Sequence, residues 1–452
     1  PAPTATPTPI PTIQVGDLSV PDPRVTNPEL FDLKNEEAPI PQFANALGNA
    51  GINLTPEEIA QGIIYVSTKK DGSPLVDKDG NPFVVAVYNL DPSLFPKKYR
   101  DLAGPIPLLI AQRGEDGKWG WSKTTLRMLA EKQGIKIGSV FPWEIFNDKK
   151  LRQIFFTELN SATLDTGIYW NDIEPKKNTF NFITMNKHAK ELREQGFNMR
   201  GHALLFPTAP WAMPDWLKNE SFSKEELTEI LTNHIKNVVS HGKEQGIREW
   251  VVVNEPYLRP GLRDDDIFYK TFRNYDYIEI AFKAAREADP SARLIYNDTD
   301  NHDSGGLTTS LTRQIIQRLK SKGLVDAVGV QAHLGDWAGV PDSNDVINTL
   351  RSYGLPVIVT EFDYSLRGVR GSQEERILNQ AKVYKNFFEA CLKAGVTEFT
   401  FWGIDDKNSW LEKALGQRGA DPTIFDEELF PKLAYFALTE TLFSSLLDIG
   451  EN

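Results

Sequence analysis

From Ser122 onward, strand-like apolar runs alternate with amphipathic helical stretches, and this alternation constrains the fold more than any other feature. The strand-like runs are 135–141, 161–165, 198–205, 249–254, 293–297, 326–331, 356–361 and 397–403. Between them lie helical patterns over 185–195, 223–245, 277–288, 307–322, 345–353 and 373–394. Ser223 and Glu226 have capping-box spacing and mark one helix start. Eight strands alternating with helices predict an α/β fold of the (β/α)8 TIM-barrel type. A doubly wound sheet is the alternative. No Gly-rich phosphate loop follows any strand, which weakens its nucleotide-binding version.

The chain has 452 residues, enough for one large domain and an appendage. Residues 1–12, PAPTATPTPIPT, can neither pack a core nor complete a helix and read as an extended linker. No signal peptide precedes them, and the tract reads as the stalk of an exported chain, extracellular and tethered to the cell surface. Residues 13–121 hold short β-type runs at 63–68, 82–90 and 107–112, separated by turn signals. They predict a small β-rich N-terminal module or collar. Residues 122–452 then form the barrel. Asp77, Asp79 and Asn81 resemble a calcium loop only faintly, because the glycine falls at the wrong position, so a hairpin turn is expected. Trp119 and Trp121 would share one strand face, for packing or as a sugar platform.

Fifty Lys and Arg against 62 Asp and Glu leave a net charge of −12, with no basic block to follow a phosphate backbone. Nucleic acid is excluded as a partner on that ground. No apolar run approaches the roughly 18 residues of a spanning helix, so no membrane span is expected. Cys391 is the only cysteine, which leaves no internal disulfide and no thiolate metal site. It falls in a helical pattern as a small core residue. His188, His234 and His241 lie in helical stretches without ligand-spaced partners, are expected to face solvent, and give no metal site. A monomer without cofactor is the expectation.

Reactive groups of a barrel sit where its strands end. The third strand carries RGH with His202, and the fourth ends WVVVNEP with Asn254 and Glu255. The fifth ends YND with Asn297 and Asp298, and the sixth ends QAH with Gln331 and His333. The seventh ends PVIVTEFD with Glu361 and Asp363, and the eighth FWG with Trp402. Taken singly, a glutamate after a strand is usually a cap or a solvated loop residue, and His202 or Trp402 would be core. Six polar strand ends together change that reading. Two glutamates on different strands, among amide, imidazole and indole groups, suit glycosidic bond cleavage. One carboxylic acid protonates the leaving oxygen while a second carboxylate works on the opposite side of the anomeric carbon. The acid needs a pKa raised by burial or a nearby negative charge, and the nucleophile must stay ionised.

Over residues 123–445 the chain resembles glycoside hydrolase family 10, the endo-β-1,4-xylanase family. The matching motifs are WNDIEP with FNF (170–175, 180–182), RGHALL (200–205), WVVVNEP (250–256) and YND (296–298). They continue with VGVQAHL (328–334), VTEFD (359–363), FWGIDDKNSW (401–410) and IFDEELFPKLAY (424–435). The resemblance implies that Glu255 is the general acid/base and Glu361 the nucleophile. It implies that Asn254 bonds the 2-hydroxyl of the sugar, and that Asp363 orients His333 against Glu361. His202, His333, Asn297, Gln331, Trp402 and Trp410 match sugar-lining positions, and Tyr169 and Trp170 fall in the stretch facing the next subsite. Retention of configuration follows from it, with carboxyl groups about 5–5.5 Å apart.

The departures from the family pattern cluster in one place. Thr166 stands where the family has a sugar-binding asparagine and Tyr169 where it has a lysine. Phe206-Pro207 replaces a Trp-His pair, and Ala209 a common glutamine. Losing the lysine and asparagine contacts would remove about 2–4 kcal/mol of sugar binding. Tyr169 and Phe206 offer ring faces instead. Trp211, Trp216, Tyr257 and Trp337 could add platforms or simply pack. The leading expectation is therefore a retaining endo-acting β-glycosidase, xylanase-like, with a polysaccharide or oligosaccharide substrate. One rival keeps the chemistry on another β-1,4-glycan or a small β-glycoside. The other is a non-catalytic carbohydrate-binding barrel, against which the presence of Glu255, Glu361, Asn254 and His333 argues.

Overall fold

The computed structural model describes residues 10–257, 266–336 and 340–448. The chain divides into two compact units, Pro1–Ile135 with Gly368–Phe388 and Ile424–Asn452, and Lys136–Arg367 with Glu389–Thr423.

The first unit opens with an antiparallel hairpin of β1 (Thr12–Val15) and β2 (Leu18–Pro21). A four-stranded antiparallel sheet follows, in the order β3 (Ile63–Val66), β4 (Val84–Leu90), β5 (Gly104–Arg113) and β6 (Trp119–Lys123). Residues 106–111 of β5 are buried on both sides of the pleat, so this sheet needs cover on both faces. Part of that cover is the helix Leu433–Asp448, which packs on β5 and is itself buried along its first eleven residues. Phe436 on this helix meets Phe43 with ring centroids 4.8 Å apart. Glu440 is paired with Lys385 and accepts from the Ser444 hydroxyl at 2.7 Å. A side chain at Gly104 would collide with Glu440, its Cβ 2.5 Å from Oε1, so β5 needs a glycine there.

Three expectations change here. The linker does not reach residue 12, because Thr12 begins β1 and Pro11 already accepts a backbone bond from Asp22. Residues 1–9 of that tract lie outside the described residues. The division at 121/122 falls inside β6, and the last helix belongs with the sheet rather than the barrel. Trp121 is buried, donating from Nε1 to the Pro21 carbonyl at 2.7 Å, which removes it from any sugar platform. The turn at Asp77 is a hairpin turn, its Oδ1 accepting from the amides of Asp79 and Asn81 at 2.9 Å.

The second unit holds the barrel. Its strands are β7 (Lys136–Val140), β8 (Ser161–Leu164), β9 (Asn198–Leu205), β10 (Glu249–Asn254), β11 (Arg293–Asp298) and β12 (Ala327–Val330). A two-residue β13 (His333–Leu334) comes next, then β14 (Val357–Tyr364) and β15 (Glu398–Phe401). All neighbours are parallel, β15 returns to β7, and β12 pairs with β14, which closes an eight-stranded ring with β13 added beside β14. The strands read as nearly continuous apolar runs because helices and interior cover both faces. Ala203, Val251, Ile295, Ala327 and Ile358 form a buried cluster. The helix Lys224–Gln245 starts at the expected capping box, Ser223 Oγ accepting from Glu226 N–H at 3.1 Å and Glu226 Oε2 from Ser223 N–H at 2.8 Å. The helix Lys149–Glu158, capped by Asp148 and burying Leu151 and Phe155, is an element beyond the predicted helical stretches.

Two features position the rim. The pairing of β10 slips between Val251 and Val253, and that of β14 between Val359 and Phe362. Such bulges turn the following side chains, here Asn254, Glu255 and Glu361. At the opposite strand ends, Lys136, Arg200 and Arg293 meet Glu249 and Glu398 in one ion network. Arg200 is fully buried in it, and also donates to the hydroxyls of Thr163 and Thr400 at 3.3 Å.

Candidate active site

Glu255 follows β10 with φ of +44°, a left-handed conformation that costs a non-glycine residue about 1–2 kcal/mol. Two bonds hold it there: its N–H donates to the Asn297 carbonyl at 3.1 Å, and its carbonyl accepts from the Thr208 hydroxyl at 2.7 Å. Its carboxyl Oε1 accepts from Gln331 Nε2 at 2.7 Å. Gln331 Nε2 also reaches Asn254 Oδ1 at 3.2 Å.

Glu361 is buried within β14. Asn297 Nδ2 donates to its Oε1 at 2.8 Å and to Asn254 Oδ1 at 2.7 Å, so one amide joins the two strand ends. The Thr360 hydroxyl donates to Asn297 Oδ1 at 2.7 Å and fixes which way that amide points. Gly329 leaves the room, since a Cβ there would lie 2.2 Å from the same oxygen. Glu361 Oε2 lies 3.2 Å from His333 Nε2, and His333 Nδ1 lies 3.0 Å from Asp363 Oδ1. Trp410 Nε1 donates to Asp363 Oδ2 at 2.7 Å, completing a chain from indole to carboxylate to imidazole to carboxylate. His202 Nδ1 stands 3.8 Å from Glu361 Oε1, and Trp402 packs edge-on against His202 at 5.1 Å.

The two carboxyl groups are tuned in opposite directions. Burial, reinforced by the charge of Glu361, raises Glu255 above the ordinary carboxylate range, against the Gln331 and Asn254 donors. Burial would raise Glu361 as well, but the neighbouring imidazoles and the Asn297 donor outweigh it and hold Glu361 low. Burial pushes the His202 imidazole below its ordinary pKa, and with His333 it is one of the two imidazoles that lower Glu361. Burial opposes the charge on His333, yet Asp363 and Glu361 carry its pKa up to about 10. Glu255 therefore holds its proton to higher pH than an ordinary carboxyl, while Glu361 ionises at lower pH.

The residues singled out in the sequence mostly converge. Glu255, Glu361, Asn254, Asn297, Gln331, His202, His333, Asp363, Trp402 and Trp410 form this one network. Tyr169 joins its edge, its ring 6.1 Å from His202 and 4.9 Å from Trp211. Phe206 meets Trp211 at 5.7 Å, and Trp211 is 60% exposed. Two of the replaced positions, Tyr169 and Phe206, therefore meet through Trp211 in an aromatic wall.

Trp170 does not join this network. It is buried, stacks on His234 at 3.9 Å and donates from Nε1 to Glu174 Oε2 at 3.0 Å. His234, expected at the surface, is fully buried because Glu174 bonds its Nδ1 at 2.9 Å. His188 is buried too, packed among Phe141, Trp143 and Phe146, while His241 is half-buried on Phe182. Trp216 donates to the Glu174 carbonyl at 3.0 Å, Tyr257 is half-buried, and Trp337 lies outside the described residues. Thr208, Thr360 and Gly329 support the site although none was singled out, Thr360 and Gly329 lying inside the motifs VTEFD and VGVQAHL. Only their pairing in space marks them.

The family model for glycosyl hydrolase family 10 matches residues 125–441. An endo-1,4-beta-xylanase B of Thermotoga neapolitana is 34% identical over 348 residues, covering 75% of this chain and 98% of that protein. An endo-1,4-beta-xylanase A of Thermotoga maritima is 32% identical over 326 residues, covering 68% of this chain but only 30% of its own length. Among solved structures, xylanase 10B of Thermotoga petrophila in complex with xylobiose superposes with a TM-score of 0.65. It is 31% identical, over 72% of this chain and 99% of that one.

Proposed function

The chain belongs to glycosyl hydrolase family 10, and from that premise we propose that it cleaves xylan-type β-1,4-linked polysaccharide as an endo-acting, retaining glycosidase. Glu361 attacks the anomeric carbon while Glu255 delivers its proton to the leaving oxygen. Water then enters, gives a proton back to Glu255 and releases the sugar from Glu361. Asn254 and Asn297 set the two carboxyl groups relative to each other, and the His333–Asp363–Trp410 chain keeps Glu361 charged and oriented. His202, Gln331 and Trp402 line the reactive sugar. The observation that carries this reading is the opposed tuning of Glu255 and Glu361 inside one hydrogen-bonded network.

Reducing-sugar release from a panel of soluble β-glycans and aryl β-glycosides tests it, with Glu255→Ala and Glu361→Ala alongside. Xylan cleavage lost in both variants is the expected result. Activity confined to another glycan would keep the mechanism and change the substrate. The aromatic wall of Tyr169, Phe206 and Trp211 favours that second reading, because stacking reads a ring face and not a hydroxyl pattern.

The Pro/Thr-rich tract supports an extracellular protein tethered through that segment, which fractionation of the source cells would test. A monomer is proposed because one chain supplies every group of the network; sedimentation equilibrium checks it.

A further inference from the structure

Glu255 is held in a conformation that its own sequence opposes. Its φ of +44° is left-handed, and Pro256 follows it, although a residue before proline prefers extended backbone. Relaxation to negative φ would turn the Cα–Cβ bond and swing the carboxyl group away from Gln331 Nε2, which it meets at 2.7 Å. Something outside the strand must therefore fix this peptide. Of the two bonds that do so, the one to the Asn297 carbonyl is backbone to backbone and belongs to the barrel itself. The other comes from the hydroxyl of Thr208, which donates to the Glu255 carbonyl at 2.7 Å from 47 residues away in the chain.

Thr208 is equipped to act as a fixed point. Its branched side chain restricts χ1, so the hydroxyl has few directions open to it. The turn after β9 that carries it is pinned on both sides. Pro207 and Ala209 are buried, and Ala209 N–H donates to the Phe206 carbonyl at 3.3 Å. Further along, the Ala212 carbonyl accepts from Asn171 N–H at 3.0 Å, and Lys218 Nζ donates to the Pro210 carbonyl at 2.7 Å. Thr208 thus grips the base of Glu255 while Gln331 grips its carboxyl tip.

We propose that Thr208 is a positioning residue for proton delivery: its hydroxyl sets the Glu255 peptide and so aims the carboxyl group at the leaving oxygen. That hydroxyl is engaged by the Glu255 carbonyl, so it acts through Glu255 rather than on the sugar. The proposal rests on the glycosidase reading and adds a residue to it. A displaced proton donor loses rate where the leaving group needs a proton, and keeps it where the leaving group needs none.

Values of kcat/KM on a series of aryl β-xylobiosides, with phenols from weakly to strongly acidic, test this. Thr208→Val removes the hydroxyl and keeps the shape, while Thr208→Ser keeps the hydroxyl and loses the methyl. Thr208→Val is expected to lower kcat/KM about 10–100-fold on the least acidic phenol and to leave the most acidic one unchanged. Thr208→Ser should recover most of that loss. In a Glu255→Ala background, Thr208→Val should change nothing further. Equal losses across the series, no loss at all, a serine variant as slow as the valine one, or a further loss in the Glu255→Ala background would each overturn the proposal. Thr208→Ala carries the same expectations if Thr208→Val does not fold. A carbon-13 NMR titration of the Glu255 carboxyl group needs no substrate, and it should shift in Thr208→Val and return in Thr208→Ser. Should the wild type cleave none of these glycosides, the glycosidase reading falls by itself. The titration then decides whether Thr208 sets Glu255, and a curve unmoved in Thr208→Val would dismiss it.

Discussion

Gln331 donates from Nε2 to Glu255 Oε1 at 2.7 Å, so the carboxyl group proposed as the proton donor is bonded by a donor that favours its ionised form. Burial and Glu361 win that contest. The balance can be tipped further. Gln331→Leu removes the donor, raises Glu255 and moves the alkaline limb of the pH–rate profile to higher pH. A limb that stays in place or moves down would show that Glu255 does not govern it.

Asp363 acts on the other limb. It holds His333 protonated, and His333 in turn holds Glu361 low. Asp363→Asn should drop the imidazole well below about 10 and let Glu361 rise. The acid limb of kcat/KM then shifts to higher pH, and the profile narrows from that side. An NMR titration of the His333 ring in both proteins checks the cause separately from the rate.

The two glutamates should fail differently. Glu255→Ala is expected to lower cleavage of xylan by about 10²–10⁴-fold. It should cost far less on an aryl glycoside with an acidic phenol, whose departure needs no proton. Glu361→Ala should abolish both. Comparing the two substrates in each variant distinguishes proton donor from nucleophile, and equal losses in Glu255→Ala would remove it from the donor role.

Stability should respond at the other end of the barrel. Glu398→Gln leaves the buried Arg200 without a main partner and should cost about 3–5 kcal/mol, read as a lower urea midpoint. The pH dependence has a definite sign. Glu249 lies below its ordinary value of 4.5: burial opposes this, but Arg200, Lys136 and Arg293 outweigh it. Its contribution is complete above 4.5 and disappears as pH falls through the lower folded value. Wild-type stability therefore declines below 4.5 more steeply than that of Glu249→Gln.

The sequence made the barrel legible because strand and helix periods alternate along most of it, the helix Lys149–Glu158 excepted, and each predicted strand has its counterpart from β7 to β15. The site was legible because polar residues closed strands that were otherwise apolar. What stayed hidden shares a physical character. His234 and Trp170 looked like a surface residue and a cleft residue until their burial against Glu174 was visible. Arg200, Glu249 and Glu398 lie on three separate strands, and no local pattern predicts that barrel closure will bring them together. The covering of β5 by Leu433–Asp448 joins segments separated by most of the chain, beyond the reach of any periodicity.

That last pairing bears on how the protein is made. Residues 12–123 emerge from the ribosome with the β5 face that receives Leu433–Asp448 uncovered, and the whole barrel is translated before that helix exists. At 5–20 residues per second the delay is on the order of tens of seconds. During that interval a nascent chain exposes apolar sheet surface, so the early segment is a natural client for holding chaperones, and the second unit can finish folding before the first.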